Sequence, residues 1–273
     1  MTAAGEVQHI DRVGVAGWGR MGSWMGRHLV DAGWRVNAFD PAPGVDERIR
    51  ADGANPASGL ADLAASSDVV LVVVVDDDQV RSVIEPALET ARPGTIFAVC
   101  ASVRPDTCSE LAAQAQLVGC HVIDVALVGG VRGAESATLK LMCGGGKAPI
   151  DACSDVFAAF AIDVCHIGDI GAGQIAKTVN NILMWSCIRA DVEALRLAKS
   201  LGISPGRLRS FINVGSGANA PLRNWATHRL TWPQKDLEVA LALAEDAGVE
   251  MPLIEALAPL MEALSVDDLA ELR

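Results

Sequence analysis

Lys177 and Asn181 stand four residues apart in the segment Gly171-Ala172-Gly173-Gln174-Ile175-Ala176-Lys177-Thr178-Val179-Asn180-Asn181. At that spacing they share one face of a helix. In the first turns of a mostly apolar helix, the Lys177 ammonium would meet the positive end of the helix dipole and a partly dry surrounding. Both disfavour its charge. A lysine so placed can take and return a proton, which is general acid–base chemistry. The competing reading is a helix-start lysine that stretches its head group to solvent. The chain has five lysines, at 140, 147, 177, 199 and 235, and no tyrosine. The missing tyrosine removes a Tyr-x-x-x-Lys proton relay.

A second constellation binds rather than reacts. Gly17-Trp18-Gly19-Arg20-Met21-Gly22 is a G-x-G-x-x-G turn between the apolar run Arg12–Ala16 and an amphipathic stretch from about Met21 to Ala32. In that context the first glycine allows the tight turn, the second lets the backbone approach a pyrophosphate, and the third lets helix and strand pack closely. The helix start then offers N–H donors and a positive dipole end to the phosphates. Asp40 closes the next apolar run, where a carboxylate can accept from the adenosine ribose hydroxyls and repel a 2′-phosphate. Pro41-Ala42-Pro43-Gly44 follows without an arginine, so NAD is expected over NADP. The plainer reading of Asp40 is a solvated turn residue. Gly144-Gly145-Gly146-Lys147 lacks the spacing and the hydroxyl of a P-loop; it reads as a turn with Lys147 exposed.

The elements that must carry these residues alternate. Arg12–Ala16, Arg35–Asp40, Val69–Val75, Thr95–Ala101 and His121–Val128 read as strands, with Pro105–Gln116 helical between the last two. Seven consecutive Val and Leu residues at Val69–Val75 predict a strand buried on both faces, as in a parallel sheet. The alternation predicts an α/β fold, a Rossmann-type doubly wound sheet. From Gln174 to about Leu201 no breaker occurs, which predicts a helix about 42 Å long at about 1.5 Å per residue. It would join an all-helical C-terminal domain, with a dinucleotide-binding domain over 1–169 and a substrate and oligomerisation domain over 170–273. Its apolar residues on most faces imply burial by other helices or another subunit, hence a homo-oligomer, dimer or tetramer.

Composition bounds the class. With 51% hydrophobic and 21% charged residues the chain is globular. A net charge of −12 argues against nucleic-acid binding, though it leaves room for a local basic pocket. The run Val69–Val75 is far short of the roughly 20 residues that cross a bilayer, and the opening MTAAGEVQHI lacks the basic start and apolar run of a secretory signal. Seven cysteines without a CxxC predict reduced, buried thiols in a cytoplasmic protein. Histidines 9, 28, 121, 166 and 228 lack ligand spacing, so each is expected to be structural and no metal is expected.

Taken with Asp40, these motifs resemble the β-hydroxyacid dehydrogenase family, which includes 3-hydroxyisobutyrate dehydrogenases and tartronate semialdehyde reductases. The resemblance covers Gly17–Met25, Ser102-Val103-Arg104-Pro105, Asp124–Gly130 with Gly133-Ala134, Thr138-Leu139, Gly171–Asn181 and Lys235-Asp236-Leu237. It implies hydride transfer between a nicotinamide cofactor and a small β-hydroxy acid or its semialdehyde. It also implies Lys177 as general acid/base and Asn181 as the residue that orients substrate. Gly17, Trp18, Gly19, Arg20, Met21, Gly22 and Asp40 would hold the cofactor. Val75 and Asp76 would touch it from a strand end, Ser102 would lie beside the nicotinamide, and Lys235 would approach cofactor and active site.

One departure bears on the substrate. Where the family has Asp-x-Pro-Val-Ser-Gly-Gly, this chain has Asp124-Val125-Ala126-Leu127-Val128-Gly129-Gly130. Val128 replaces a serine that holds the substrate, and a valine neither donates nor accepts. The N–H groups of Gly129 and Gly130 could still bind an acid group, with Arg132 near in sequence. Val128 keeps open a reductase of imines or less polar carbonyls; Lys177 argues against it, because the imine reductases that resemble this family generally lack that lysine. A dinucleotide sensor without turnover is a third reading, which would have no use for Lys177 with Asn181.

Overall fold

The computed structural model describes residues 9–225 and 230–273. His228 and most of the N-terminal stretch examined for a leader therefore lie outside the described residues. The chain divides into two compact units, Met1–Lys177 and Thr178–Arg273. The division falls within one 29-residue helix, Ala172–Ser200, that continues from the first into the second.

The first unit is built on one eight-stranded sheet. Its strands are β1 (Arg12–Ala16), β2 (Arg35–Phe39), β3 (Asn55–Pro56), β4 (Val69–Val72), β5 (Ile96–Val99), β6 (His121–Val128), β7 (Leu139–Gly144) and β8 (Ala161–Gly168). Their spatial order is β3-β2-β1-β4-β5-β6-β7-β8. Neighbours run parallel except β6 and β7, which are antiparallel. The chain winds outward from β1 to β3, then returns to lay β4 on the other side of β1. A crevice opens at the carboxyl ends of the strands where such a reversal occurs.

Period-two alternation explains why the sheet is covered on both faces. Val13, Val15, Val69, Leu71, Ile96 and Ala98 enter one apolar core with Met25 and Leu29 of the helix Gly22–Asp31. Val70, Val72, Phe97 and Val99 enter another, with Ile84 from the helix Asp77–Leu88 and Leu111 from Pro105–Leu117. The amino ends of β1 and β4 are tied by Asp68, whose carboxylate accepts from Arg12 and from Arg92 just before β5. Burial alone would push that carboxyl up, yet its charged and backbone donors outweigh burial and hold it below its ordinary range.

Several boundaries differ from the sequence reading. The apolar run Val69–Val75 stays in the sheet only to Val72; Val75 is 49% exposed. The cause is local: Asp76 accepts the Gln79 N–H as cap of the next helix, and Gln79 accepts the Val75 N–H. These bonds replace the ladder. The expected strand Thr95–Ala101 shortens to Ile96–Val99, and the first helix begins at Gly22. Gly144 is not part of a free turn but the last residue of β7, while Lys147 is exposed and paired with Asp151. β3, β7 and β8 carry little sequence signal. β3 has two residues, and β8 is an edge strand exposed along most of its length.

The second unit is helical. After Ser200 the chain forms Pro205–Ile212, Ala220–Arg223, Pro233–Ala247, Pro252–Glu262 and Val266–Ala270. Trp185, Ile188, Val192 and Leu195 of the long helix form its core with Leu237, Ile254, Leu257 and Met261. Their spacing of three and four is the inward stripe of an amphipathic helix. No described helix is long and apolar enough to cross a membrane.

Candidate active site

The glycine turn leaves β1 at Gly17, whose φ of 100° lies in the region that favours glycine. A side chain at Gly17 would collide with the carbonyl oxygen of Val73, and one at Gly22 with the carbonyl oxygen of Gly17. Gly19 instead faces open space, with nothing within 4 Å of where its Cβ would stand. In the helix Gly22–Asp31 the Ser23 N–H donates back to the Gly19 carbonyl at 3.0 Å, while the N–H groups at the very start of a helix have no intrahelical acceptor. Close packing at the first and third glycines, with room at the second, fits a pyrophosphate bound by main-chain donors. Arg20 is exposed and Met21 half-buried beside this turn.

Asp40 follows the end of β2 and is bound into the turn. Its Oδ2 accepts the Trp18 N–H at 2.7 Å and its Oδ1 accepts the Ala42 N–H at 2.9 Å. A carboxylate oxygen offers more than one acceptor position, so both can also take a ribose hydroxyl. Trp18 is the member of the motif that turns inward. Its ring is fully buried against Gly26, and its indole N–H donates to Asp52 at 2.9 Å.

The segment that carries Lys177 is fastened by a residue the sequence reading did not single out as functional. Asp124 in β6 is fully buried, and its carboxylate accepts the N–H groups of Gly171 at 2.6 Å and Gln174 at 2.9 Å. Burial pushes its carboxyl above the ordinary range, and these donors, with the Gly173 N–H, pull the other way. The helix start approaches so closely that a side chain at Gly173 would strike both the Met142 carbonyl oxygen and the Asp124 carboxylate. Gln174 was also missed. Its Oε1 accepts the Val103 N–H at 3.1 Å and its Nε2 donates to the Ala101 carbonyl at 2.9 Å, with Ser102 between them. The signal available was a polar Gln between two glycines and the lysine in an otherwise apolar helix start.

Lys177 is half-buried, and its Nζ donates to the Leu127 carbonyl at 3.0 Å. That oxygen immediately precedes Val128, which is half-buried at the end of β6. Gly129 and Gly130 follow, exposed and with φ of 120° and 60°. The structure thus brings Lys177, Ser102 and the Val128–Gly130 turn to the carboxyl ends of β5 and β6. Arg132 is exposed on the short helix after that turn. Val75 and Asp76 form the capped turn after β4.

Asn181 lies one turn beyond Lys177 on the same helix, buried, its Oδ1 accepting from Asn180 Nδ2 at 3.1 Å. Lys235 is in the first turn of Pro233–Ala247 within the second unit. There Asp236 accepts the Trp185 indole N–H at 2.9 Å and Leu237 is core, so two of the three residues of Lys-Asp-Leu serve packing.

Other polar groups read as structural. His28 and His166 bond backbone carbonyls. Among the described residues no group of three or more His, Cys, Asp or Glu could hold a metal. Burial pushes the thiols of Cys100, Cys108 and Cys153 up, and that of Cys143 up to about 12, which keeps them protonated and unreactive. Cys165, on exposed β8, departs from the expectation of uniformly buried thiols.

Comparison with known proteins accounts for both units. Residues 12–168 match the family model of the NAD binding domain of 6-phosphogluconate dehydrogenase. Residues 171–272 match that of the NAD-binding region of NADP-dependent 3-hydroxyisobutyrate dehydrogenase. A probable 3-hydroxyisobutyrate dehydrogenase of Mycobacterium tuberculosis is 34% identical over 212 residues, 78% of this chain and 70% of that protein. The 2-(hydroxymethyl)glutarate dehydrogenase of Eubacterium barkeri is 28% identical over 256 residues, 89% of this chain and 85% of that one. Among solved structures, Mycobacterium tuberculosis 3-hydroxyisobutyrate dehydrogenase with L-serine superposes with a TM-score of 0.87 at 28% identity. That match covers 97% of this chain and 99% of that one.

The Asp124 anchor makes a direct prediction. Asp124→Asn keeps the shape but turns an NH2 toward one of the two N–H groups, leaving it without an acceptor. A buried group so orphaned costs about 1–3 kcal/mol, to be read as a lower urea midpoint. An unchanged midpoint would refute the anchor.

Proposed function

Since the chain belongs to the β-hydroxyacid dehydrogenase family and is a nicotinamide-dinucleotide-dependent dehydrogenase acting on CH–OH groups, we propose that it interconverts a small β-hydroxy acid and its semialdehyde, with NAD preferred and Lys177 as general acid/base. The observation that carries this reading is the Lys177 Nζ at 3.0 Å from the Leu127 carbonyl, beside the Val128-Gly129-Gly130 turn. Gly17, Gly19, Arg20, Met21 and Gly22 would hold the pyrophosphate through the main chain, Trp18 by shaping the turn rather than by its ring. Asp40 would take the adenosine ribose. Val75, Asp76 and Ser102 would face the nicotinamide end, and Lys235 would approach it as the family resemblance implies. The bound nicotinamide supplies a hydride acceptor in oxidation and a hydride donor in reduction.

The protein's part is alignment and proton movement. Lys177 takes the substrate hydroxyl proton at Nζ in oxidation and returns it in reduction. Asn181 orients that oxygen. The N–H groups of Gly129 and Gly130 hold the acid group, with Arg132 near in sequence. Val128 marks a substrate less dependent on a side-chain hydroxyl, and it is the feature that favours a less polar carbonyl or imine as second reading. Ile175, Val179 and Leu183 are each about half exposed at successive turns of the long helix, which supports a homo-oligomer, dimer or tetramer. Seven unpaired thiols fit a reducing, cytoplasmic setting.

Three substitutions test this reading. Lys177→Ala should lower turnover by roughly 10²–10⁴-fold, the usual range for lost acid–base catalysis, with NADH affinity nearly unchanged; near-normal turnover would remove Lys177 from the mechanism. NADH should bind more tightly than NADPH in a nicotinamide-fluorescence titration, and Asp40→Ser should narrow the gap. Equal affinity in the unaltered protein would refute the role of Asp40. Val128→Ser should restore a hydrogen bond to a charged group, about 1.5–3 kcal/mol, or roughly 10- to 150-fold in kcat/KM for short hydroxy acids. If the natural substrate is less polar, the same hydroxyl loses its water without replacement, and kcat/KM on that substrate falls instead.

A further inference from the structure

Gln174 has a role that neither binding nor proton transfer assigns to it. Its side chain is 2% exposed and makes two opposite hydrogen bonds to a single loop, accepting from the Val103 N–H and donating to the Ala101 carbonyl. Ser102 is the residue between. The Gln174 N–H itself donates to the Asp124 carboxylate, and Lys177 follows three positions later on the same flank of the helix. We propose that Gln174 is a positioning residue that locks the Ser102 loop to the helix start carrying Lys177, so that one buried amide sets the register between the nicotinamide end of the site and the proton-transfer group. The inference rests on the functional reading of Ser102 and Lys177 given above.

The chemistry of the side chain supports the assignment. The loop presents one acceptor and one donor two residues apart, and only a group with both functions at its tip answers them together. A leucine or methionine fills the space and leaves both backbone groups without that partner. A carboxylate satisfies the Val103 N–H but opposes the Ala101 carbonyl with a second oxygen. A protonated carboxyl again has one donor and one acceptor. The Ser102 loop and Lys177 thus move together or not at all, and a misplacement of about 1 Å at a reacting centre costs on the order of 100-fold in rate.

The test uses the full-length protein with 3-hydroxyisobutyrate or L-serine, whichever is turned over faster. Gln174→Met should lower kcat by about 10- to 100-fold while the Kd for NADH, from nicotinamide fluorescence, stays near that of the unaltered protein. Gln174→Glu should show a pH signature. Its turnover relative to the unaltered protein should rise as pH falls, because protonating the introduced carboxyl restores the donor. If Gln174→Met does not fold, the pH ratio of Gln174→Glu decides alone. Adding Ser102→Ala to Gln174→Met should cost little more than Gln174→Met, since groups acting as one unit are not additive. A purely structural glutamine would lower the urea midpoint yet leave kcat intact and the pH ratio flat, and either result overturns the proposal. If Lys177→Ala retains turnover, the functional reading and this inference fall together. If Lys177→Ala is inactive while Gln174→Met turns over normally, only this inference falls.

Discussion

The buried carboxylate of Asp124 is the contact on which the arrangement turns. A carboxyl fully inside a sheet is costly unless its oxygens are met by donors, and here the donors are the N–H groups of Gly171 and Gln174 at the mouth of a 29-residue helix. The helix start in turn has N–H groups without intrahelical acceptors and a positive dipole end. Each side resolves the other's deficit, and the product is a fixed joint between β6 and the helix that bears Lys177. Glycine at 144 and 173 is the steric condition for that joint, because any side chain would enter the same space.

From this joint the rest of the candidate site is a matter of reach. Lys177, one turn into the helix, extends to the Leu127 carbonyl, and Gln174 grips the loop after β5. The glycine turn lies at the carboxyl end of β1, on the same edge of the sheet, where the strand order reverses between β1 and β4 and opens a crevice. Two tasks are therefore met by different means. Main-chain donors and absent side chains suit the turn to a pyrophosphate. Side chains of distinct chemistry, held by the Asp124 joint, suit the other region to proton movement.

Val128, where the family resemblance implies a serine, is held within the sheet frame. Its place at the end of β6, paired across to Lys140 of β7, is set by the strand register, and the turn of Gly129 and Gly130 follows directly.

The sequence by itself determined the parts whose signals are local. β1 and β6 have the bounds read from their apolar runs, and the long helix lies within two residues of its expected start. The glycine motif marked the tight turn after β1 to which Asp40 is bonded, and Lys177 with Asn181 marked one helix. The strands β7 and β8 and the inward turn of Trp18 were decided by tertiary structure, and the end of β4 by a local cap that its apolar run does not announce. A cap at Asp76 competes with the ladder, an edge strand needs no continuous apolar run, and a ring buries wherever a glycine such as Gly26 leaves room. The Asp124 and Gln174 contacts join residues about 50 and 70 positions apart. No periodicity or spacing along the chain encodes such a pairing. It exists only once the sheet has brought β5, β6 and the helix start together, and the cost of leaving a buried carboxylate or amide unpaired then selects it.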